Sequence, residues 1–176
     1  MSNYVYIATS LDGYIATWEG GLEWLYATPN PTNDDYGYGA FISGIDAIVM
    51  GRKTFEKILT FDSWPYARPV FVLSKCSDTV SEDMRDKAER VSGELTTLVS
   101  QLNERGYHNL YIDGGRTIRG FLAEDLIDEI IITRMPILLG NGIPLFSQLP
   151  HELLFEHQKT EVMNAALVKS HYVRAR

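Results

Sequence analysis

Apolar residues fall along this chain in short unbroken blocks, and each block ends on glycine, serine or a charge. Residues 4–8 (YVYIA), 47–50 (AIVM), 70–73 (VFVL), 110–112 (LYI) and 130–132 (III) are such blocks. Apolar runs without polar alternation predict strands covered on both faces, as in a parallel sheet. Between them the period changes. Leu95, Leu98, Val99 and Leu102 recur at helical spacing within residues 94–105, which predicts an amphipathic helix. Residues 55–59 and 117–125 read as helices behind strand ends. Asn33, Asp34 and Asp35 can cap a helix carrying Tyr36, Tyr38, Phe41 and Ile42, weakened by Gly37 and Gly39. Residues 23–26 predict a helical turn stopped by Pro29 and Pro31. Residues 78–89 are densely charged and predict solvent-facing chain. Residues 153–162 and 165–173 predict a hairpin across Met163 and Asn164.

The order is strand–helix–strand, repeated, with an antiparallel close. It predicts a mixed, mainly parallel sheet with helices on both faces, in one domain over residues 1–176. There is no internal repeat, low-complexity tract or dividing linker.

Composition narrows the partners. The 176 residues carry a formal net charge of −7, which disfavours nucleic acid and anionic membranes. Cys76 is the only cysteine, so no intrachain disulfide forms and a cysteine zinc site is not expected. His151, His157 and His171 lack metal-ligand spacing and read as surface or edge residues; His108 reads as structural. No metal is expected. No apolar run reaches membrane length and no charged-then-apolar leader opens the chain, so a cytoplasmic protein is expected.

The candidate chemistry sits at strand ends. Gly51-Arg52-Lys53-Thr54, Ser74-Lys75 and Gly114-Gly115-Arg116 each follow a buried block. Strand ends on one side of a parallel sheet converge on one crevice. Two cations at a helix start oppose the helix dipole, so Arg52-Lys53 favours an anionic ligand over a purely structural role. Gly114-Gly115 suits a phosphate at a helix N-terminus, or a tight turn with no ligand. Residues 9–21 carry Tyr14, Ile15 and Trp18 between two glycine turns. They read as a candidate lid, or as cover for the core edge. Asp34 and Asp35 serve as caps, or one of them faces the pocket beneath that lid. Thr133 ends its strand with a hydroxyl placed to face the same pocket.

Five motifs carry a family resemblance: IATSLDGYIA at 7–16, VMGRKTFE at 49–56, FVLSK at 71–75, YIDGGRTIRGFL at 111–122 and LIDEIIITRMPILLGNGIPLF at 126–146. Together they resemble the dihydrofolate reductase-like superfamily. The closest likeness is to the C-terminal reductase domain of the bacterial riboflavin deaminase–reductase and its stand-alone relatives. The resemblance implies a three-layer α/β/α fold with a mixed, mainly parallel sheet and an antiparallel C-terminal hairpin. It implies NADPH-dependent hydride transfer to a small pyrimidine or pterin-like heterocycle, with 5-amino-6-(5-phosphoribosylamino)uracil reduction leading. Dihydrofolate reduction and a nucleotide-binding protein without turnover are the alternatives. It also implies a homodimer, to which the apolar connection 138–146 is suited.

Carried over residue by residue, Ala8 and Ile15 match positions flanking nicotinamide. Gly51, Arg52, Lys53 and Thr54 match the segment that holds phosphate, including the 2′-phosphate. Leu73, Ser74 and Lys75 match the adenosine side, and Gly114, Gly115, Arg116, Thr117 and Ile118 the pyrophosphate turn. Asp35 matches the acid that contacts the ring, with Asp34 as rival, Thr133 as its partner and Tyr38 beside it. Arg68 falls near an arginine that holds the folate tail. Asp35 is expected in an apolar pocket near Thr133, with a raised pKa.

Overall fold

Ala47, Ile48, Val49 and Met50 are each fully buried, as a strand covered on both faces requires. They belong to β3 (Ala47–Gly51) in the computed structural model, which describes residues 1–176. Before it come β1 (Ser2–Thr9), the short β2 (Tyr14–Ala16), a 3-10 turn at Glu23–Tyr26 and α1 (Tyr38–Ser43). After it come α2 (Arg52–Ile58), β4 (Val70–Leu73), β5 (Ala88–Val91), α3 (Leu95–Glu104), β6 (Asn109–Asp113), α4 (Gly115–Ala123) and β7 (Glu129–Arg134). The chain closes with β8 (Ile143–Pro144), β9 (Phe155–Met163) and β10 (Leu167–Arg174).

Eight strands form one sheet in the order β5-β4-β3-β6-β1-β7-β10-β9. The first six run parallel; β10 is antiparallel to β7, and β9 to β10. This is the mixed, mainly parallel sheet with an antiparallel close that the hydrophobic blocks predict. Two cores sandwich it. On one face Ile48, Met50 and Tyr111 pack with Phe55 and Ile58 of α2 and with Tyr38 and Phe41 of α1. On the other, Val5, Val49 and Ile112 pack under Leu98 and Leu102 of α3 and Ile118 and Phe121 of α4. No helix is long and apolar enough to cross a membrane.

Three stretches differ from expectation. The charged segment 78–89 holds two 3-10 turns and then leads into β5, which pairs in parallel with β4. Only Ala88 and Val91 anchor that strand, on one side each of a polar pair, too little for a hydrophobic signal; Glu89 turns out to meet Arg105 at 2.7 Å. The closing hairpin turns one residue later, on Asn164 and Ala165, whose φ values of 50° and 53° suit a two-residue turn that follows the strand twist. The segment 9–21 is strapped rather than free. Asp12 accepts hydrogen bonds from Ser10 Oγ (2.6 Å), Leu139 N (3.1 Å) and Gly140 N (2.7 Å), and β2 pairs with β8. These bonds fasten the candidate lid to the 136–146 bend.

Candidate active site

Parallel register places the ends of β3 and β6 side by side, with Met50 opposite Asp113. A helix starts directly behind each: α2 at Arg52 and α4 at Gly115, neither capped by a side chain. In α4 the ladder begins with Ile118 N donating to Gly114 O at 2.9 Å. The N–H groups of the preceding first-turn residues have no acceptor within the helix. The glycines show how tightly the two helix starts approach. A methyl on Gly114, held at φ +87°, would run into Thr54 Oγ1. One on Gly51 would reach Thr117 Oγ1 at 2.9 Å, and one on Gly115 would run into Ile15 Cδ1. Ile15, Gly51, Thr54, Gly114, Gly115 and Thr117 therefore meet in one cradle of backbone donors and hydroxyls. Arg52, Lys53 and Arg116 stand exposed at its rim.

That donor set suits the phosphates of a dinucleotide. Arg52 is half exposed with Glu56 at 3.7 Å, a loose pair that leaves its guanidinium available. Leu73 registers beside Gly51 on the next strand out, followed by Ser74 and exposed Lys75. The Ser74 hydroxyl is already engaged, accepting from Thr79 Oγ1 (2.5 Å) and Cys76 N (3.1 Å). Ile118 is buried in the core under α4, where it holds the helix start in place.

Beside the cradle, on the α1–α2 face, lies a crevice of phenols around one carboxylate. Asp113 takes a hydrogen bond from Gly114 N at 2.8 Å. Burial pushes its carboxyl above the usual range, and the hydrogen bond from Gly114 and the nearby phenols offset this only in part. Burial together with the charge of Asp113 pushes Tyr38 up to about 12 and raises Tyr66 and Tyr111 as well. Tyr6, stacked on Phe41 with centroids 4.5 Å apart, is pushed up to about 12, chiefly by burial and then by Asp35. Asp113 escaped the sequence reading. The available signal was a lone carboxylate set between a fully apolar strand and a glycine pair.

The acids that the sequence favoured sit elsewhere. Asp35 is exposed, and its carboxylate accepts from Gly37 N and Gly39 N, both at 2.8 Å, at the start of α1. Those backbone bonds lower its pKa, Gly39 first, so the expected apolar pocket and raised pKa are not found. Asp34 is exposed too and holds Tyr36 N at 2.8 Å. Thr133 is buried and registers with Ala8 on one side and Lys169 on the other. Lys169 donates to Tyr36 O at 2.8 Å and its charge reaches Asp35, so Asp35 and Thr133 share a corner with the lysine between them. Arg68 does not join the crevice. It precedes β4 and binds the carbonyls of Ile42 (3.4 Å) and Ser43 (2.8 Å), at the opposite end of the strands from the cradle. Trp24, also missed as a candidate, is buried with an indole N–H that finds no acceptor, in a small cluster against which Ala8 and Tyr36 pack. No group of His, Cys, Asp and Glu is arranged to hold a metal ion.

The profile of the RibD C-terminal domain matches residues 4–169, which include the whole cradle and crevice. The chain belongs to the RibD C-terminal domain family. Within and around that family its likeness is graded. A crystal structure of a protein assigned to riboflavin biosynthesis, from Shewanella sp. PV-4, superposes with a TM-score of 0.97 at 50% identity, covering 100% of both chains. The protein YwjB of Bacillus subtilis is 36% identical over 97% of this chain and 97% of its own length. The diaminohydroxyphosphoribosylaminopyrimidine deaminase/5-amino-6-(5-phosphoribosylamino)uracil reductase of Thermotoga maritima shares the fold, with a TM-score of 0.77 at 14% identity over 99% of this chain and 56% of the enzyme.

Proposed function

We propose that this RibD C-terminal domain protein is an NADPH-dependent reductase of a pyrimidine or pterin-like heterocycle, working as one domain over residues 1–176. The observation that carries the reading is the cradle: two uncapped helix starts, packed too closely for a single methyl, opening beside a crevice with a half-buried carboxyl. The backbone donors of α4, with Thr54 and Thr117, hold the dinucleotide phosphates, and Arg52, Lys53 and Lys75 supply charge along its length. Ala8 and Ile15 flank the nicotinamide. When bound, NADPH supplies a hydride to an electron-poor carbon of the substrate ring.

The chain's own groups then orient the ring and manage its proton. Asp113, whose pKa is raised by loss of water, hydrogen-bonds a ring nitrogen and passes on the proton that completes a two-electron reduction. Tyr38 and Tyr66, raised well clear of neutral pH, remain phenols and donate to ring carbonyls. Thr133 lines the sheet beside Ala8. Asp35 sets the start of α1 and through it the position of Tyr38, and so acts as a positioning residue. NADPH oxidation measured against pyrimidine, dihydropterin and dihydrofolate substrates tests the whole reading; tight NADPH binding with no turnover on any of them would favour a nucleotide-binding role.

NADPH is expected to bind better than NADH. A charge-assisted contact to the 2′-phosphate is worth ~1.5–3 kcal/mol, so Arg52→Ala should weaken NADPH roughly ten-fold or more and leave NADH unchanged. Calorimetry with both dinucleotides checks this, and an equal loss for both would remove Arg52 from the 2′-phosphate.

The protein is further proposed to be a cytoplasmic homodimer that binds no nucleic acid. Leu138, Phe146 and Leu154 are 69%, 50% and 70% exposed along the apolar connection and the chain after it, an area better suited to a partner surface than to water. Sedimentation equilibrium should return twice the chain mass of 19.9 kDa; a monomer mass would exclude the dimer.

A further inference from the structure

The start of α4 holds a positive charge that neither the cradle nor the crevice has used. Arg119 follows Gly115 by four residues and so lies on the same stripe of the helix. Long side chains on a helix lean toward its N-terminus. This one does: a methyl on Gly115 would lie 3.1 Å from Arg119 Nη1. The guanidinium therefore stands at the first turn, where α4 has no capping side chain. Ile15 Cδ1, carried by β2, closes on the same point. Arg119 is partly buried, and its hydrogen bond goes to a neutral group, the carbonyl of Pro144. Neither it nor Arg116, three residues earlier, belongs to any of the chain's ion pairs. Two guanidiniums at one helix start repel each other and oppose the helix dipole. Burial and then the charge of Arg116 both work against the charge on Arg119, lowering its pKa. An anion seated against that turn makes the dipole and the charges favourable together. Pro144 belongs to β8, which pairs with β2 to form the strap. Arg119 thus leans toward Ile15 and the nicotinamide end of the cradle, away from Gly51 and Leu73 at the adenosine end.

We propose that Arg119 is a cofactor-binding residue: its guanidinium takes the phosphate next to the nicotinamide ribose while keeping Pro144 O, and so ties the bound dinucleotide to the β2–β8 strap. The inference rests on the reductase reading above and deepens it. A guanidinium presents five N–H donors in one plane, so one can stay on the carbonyl while others face a phosphate. The cations of the cradle then divide by position. Arg52, at the start of α2, meets the 2′-phosphate that only NADPH carries. Arg119 meets a phosphate that NADPH and NADH share.

The test is calorimetry on the full chain with NADPH, NADH and adenosine 2′,5′-bisphosphate, which carries the 2′-phosphate but no phosphate of the nicotinamide side. Arg119→Gln keeps an N–H donor for Pro144 O and removes the charge. It should weaken NADPH and NADH by the same factor, roughly ten- to a hundred-fold for a lost charge-assisted contact. Adenosine 2′,5′-bisphosphate should bind as before. Arg119→Lys, which keeps the charge, should recover part of the loss. Hydrogen exchange reads the tie to the strap. Saturating NADPH should slow exchange in β2 and β8 of the wild type and leave it unslowed in Arg119→Gln. Unchanged NADPH affinity in Arg119→Gln overturns the inference and leaves the reductase reading standing. A loss that extends to adenosine 2′,5′-bisphosphate also overturns it, because the whole cradle has then shifted. Equal slowing in the saturated variant overturns the tie. A wild-type chain that binds neither dinucleotide overturns the reductase reading itself.

Discussion

Replacing Asp113 by asparagine is expected to lower turnover by ~100-fold or more, the usual loss when a general acid–base group is removed. NADPH affinity should stay intact, and the protein should become more stable at neutral pH. The two effects have one cause. The carboxyl is half-buried beside Tyr38, Tyr66 and Tyr111, and its loss of water raises its pKa. Asparagine keeps the shape and the acceptor for Gly114 N but has no charge to desolvate. The sign of the pH dependence follows. Unfolded, the group titrates near the ordinary aspartate value of about 4; folded, it titrates higher. Across the window between the two values the folded chain keeps a proton that the unfolded chain has lost. Wild-type stability from this group is therefore complete below the unfolded value and falls as pH rises through the folded one. Thermal melts across that range should show Asp113→Asn gaining on wild type as pH rises, with the gap closing in acid. A variant both more stable and less active marks a residue kept for function at a cost to the fold. If turnover survived in Asp113→Asn and collapsed in Asp35→Asn, the ring-binding acid would be Asp35, as the family resemblance implied.

Gly114→Ala should have the second large effect, on fold and cofactor together. Gly114 sits at φ +87°, where a side chain is strained, and the added methyl runs into Thr54 Oγ1. Strain of this kind costs about 1–3 kcal/mol, which for a chain of this size lowers Tm by ~3–10 °C. Relief can come only by separating the starts of α2 and α4, and that opens the phosphate cradle, so NADPH binding should fall below detection. Gly115→Ala separates the two consequences. Its methyl meets the flexible end of Ile15 instead of a helix start, so the melt should move less. Ile15 is the residue proposed to flank nicotinamide, so NADPH affinity should still drop, by ~10-fold for a displaced apolar contact. Paired melts and dinucleotide titrations of both variants check this. Unchanged affinity in Gly115→Ala would show that the turn is structural and that the dinucleotide lies elsewhere.

Much of this molecule was legible in its one-dimensional pattern because the signals are local. A strand covered on both faces must be apolar at consecutive positions, and 47–50 and 110–112 announce themselves so. Leu95, Leu98, Val99 and Leu102 define α3 by spacing alone. Gly51 and Gly114-Gly115 follow buried strands, and a parallel sheet brings such ends together whatever the rest of the chain does. The meeting of the two helix starts was thus readable from the sequence.

What the sequence left undecided depended on neighbours distant along the chain. β5 has too few apolar residues to declare itself and exists because the β4 edge offers it a ladder. The segment 9–21 reads as a loose lid until Asp12 is seen tied to Leu139 and Gly140, more than a hundred residues away. Asp35 and Asp113 make the same point with opposite results. Asp35 had the family match, yet two glycine N–H groups within four residues claim its carboxylate. Asp113 lay inside the 111–122 motif with no role assigned to it, yet the sheet sets it next to Tyr111, and α1 and the loop after α2 bring Tyr38 and Tyr66 near it. A carboxylate's chemistry is set by burial and by the groups that reach it through space, and those are decided only when the chain has folded.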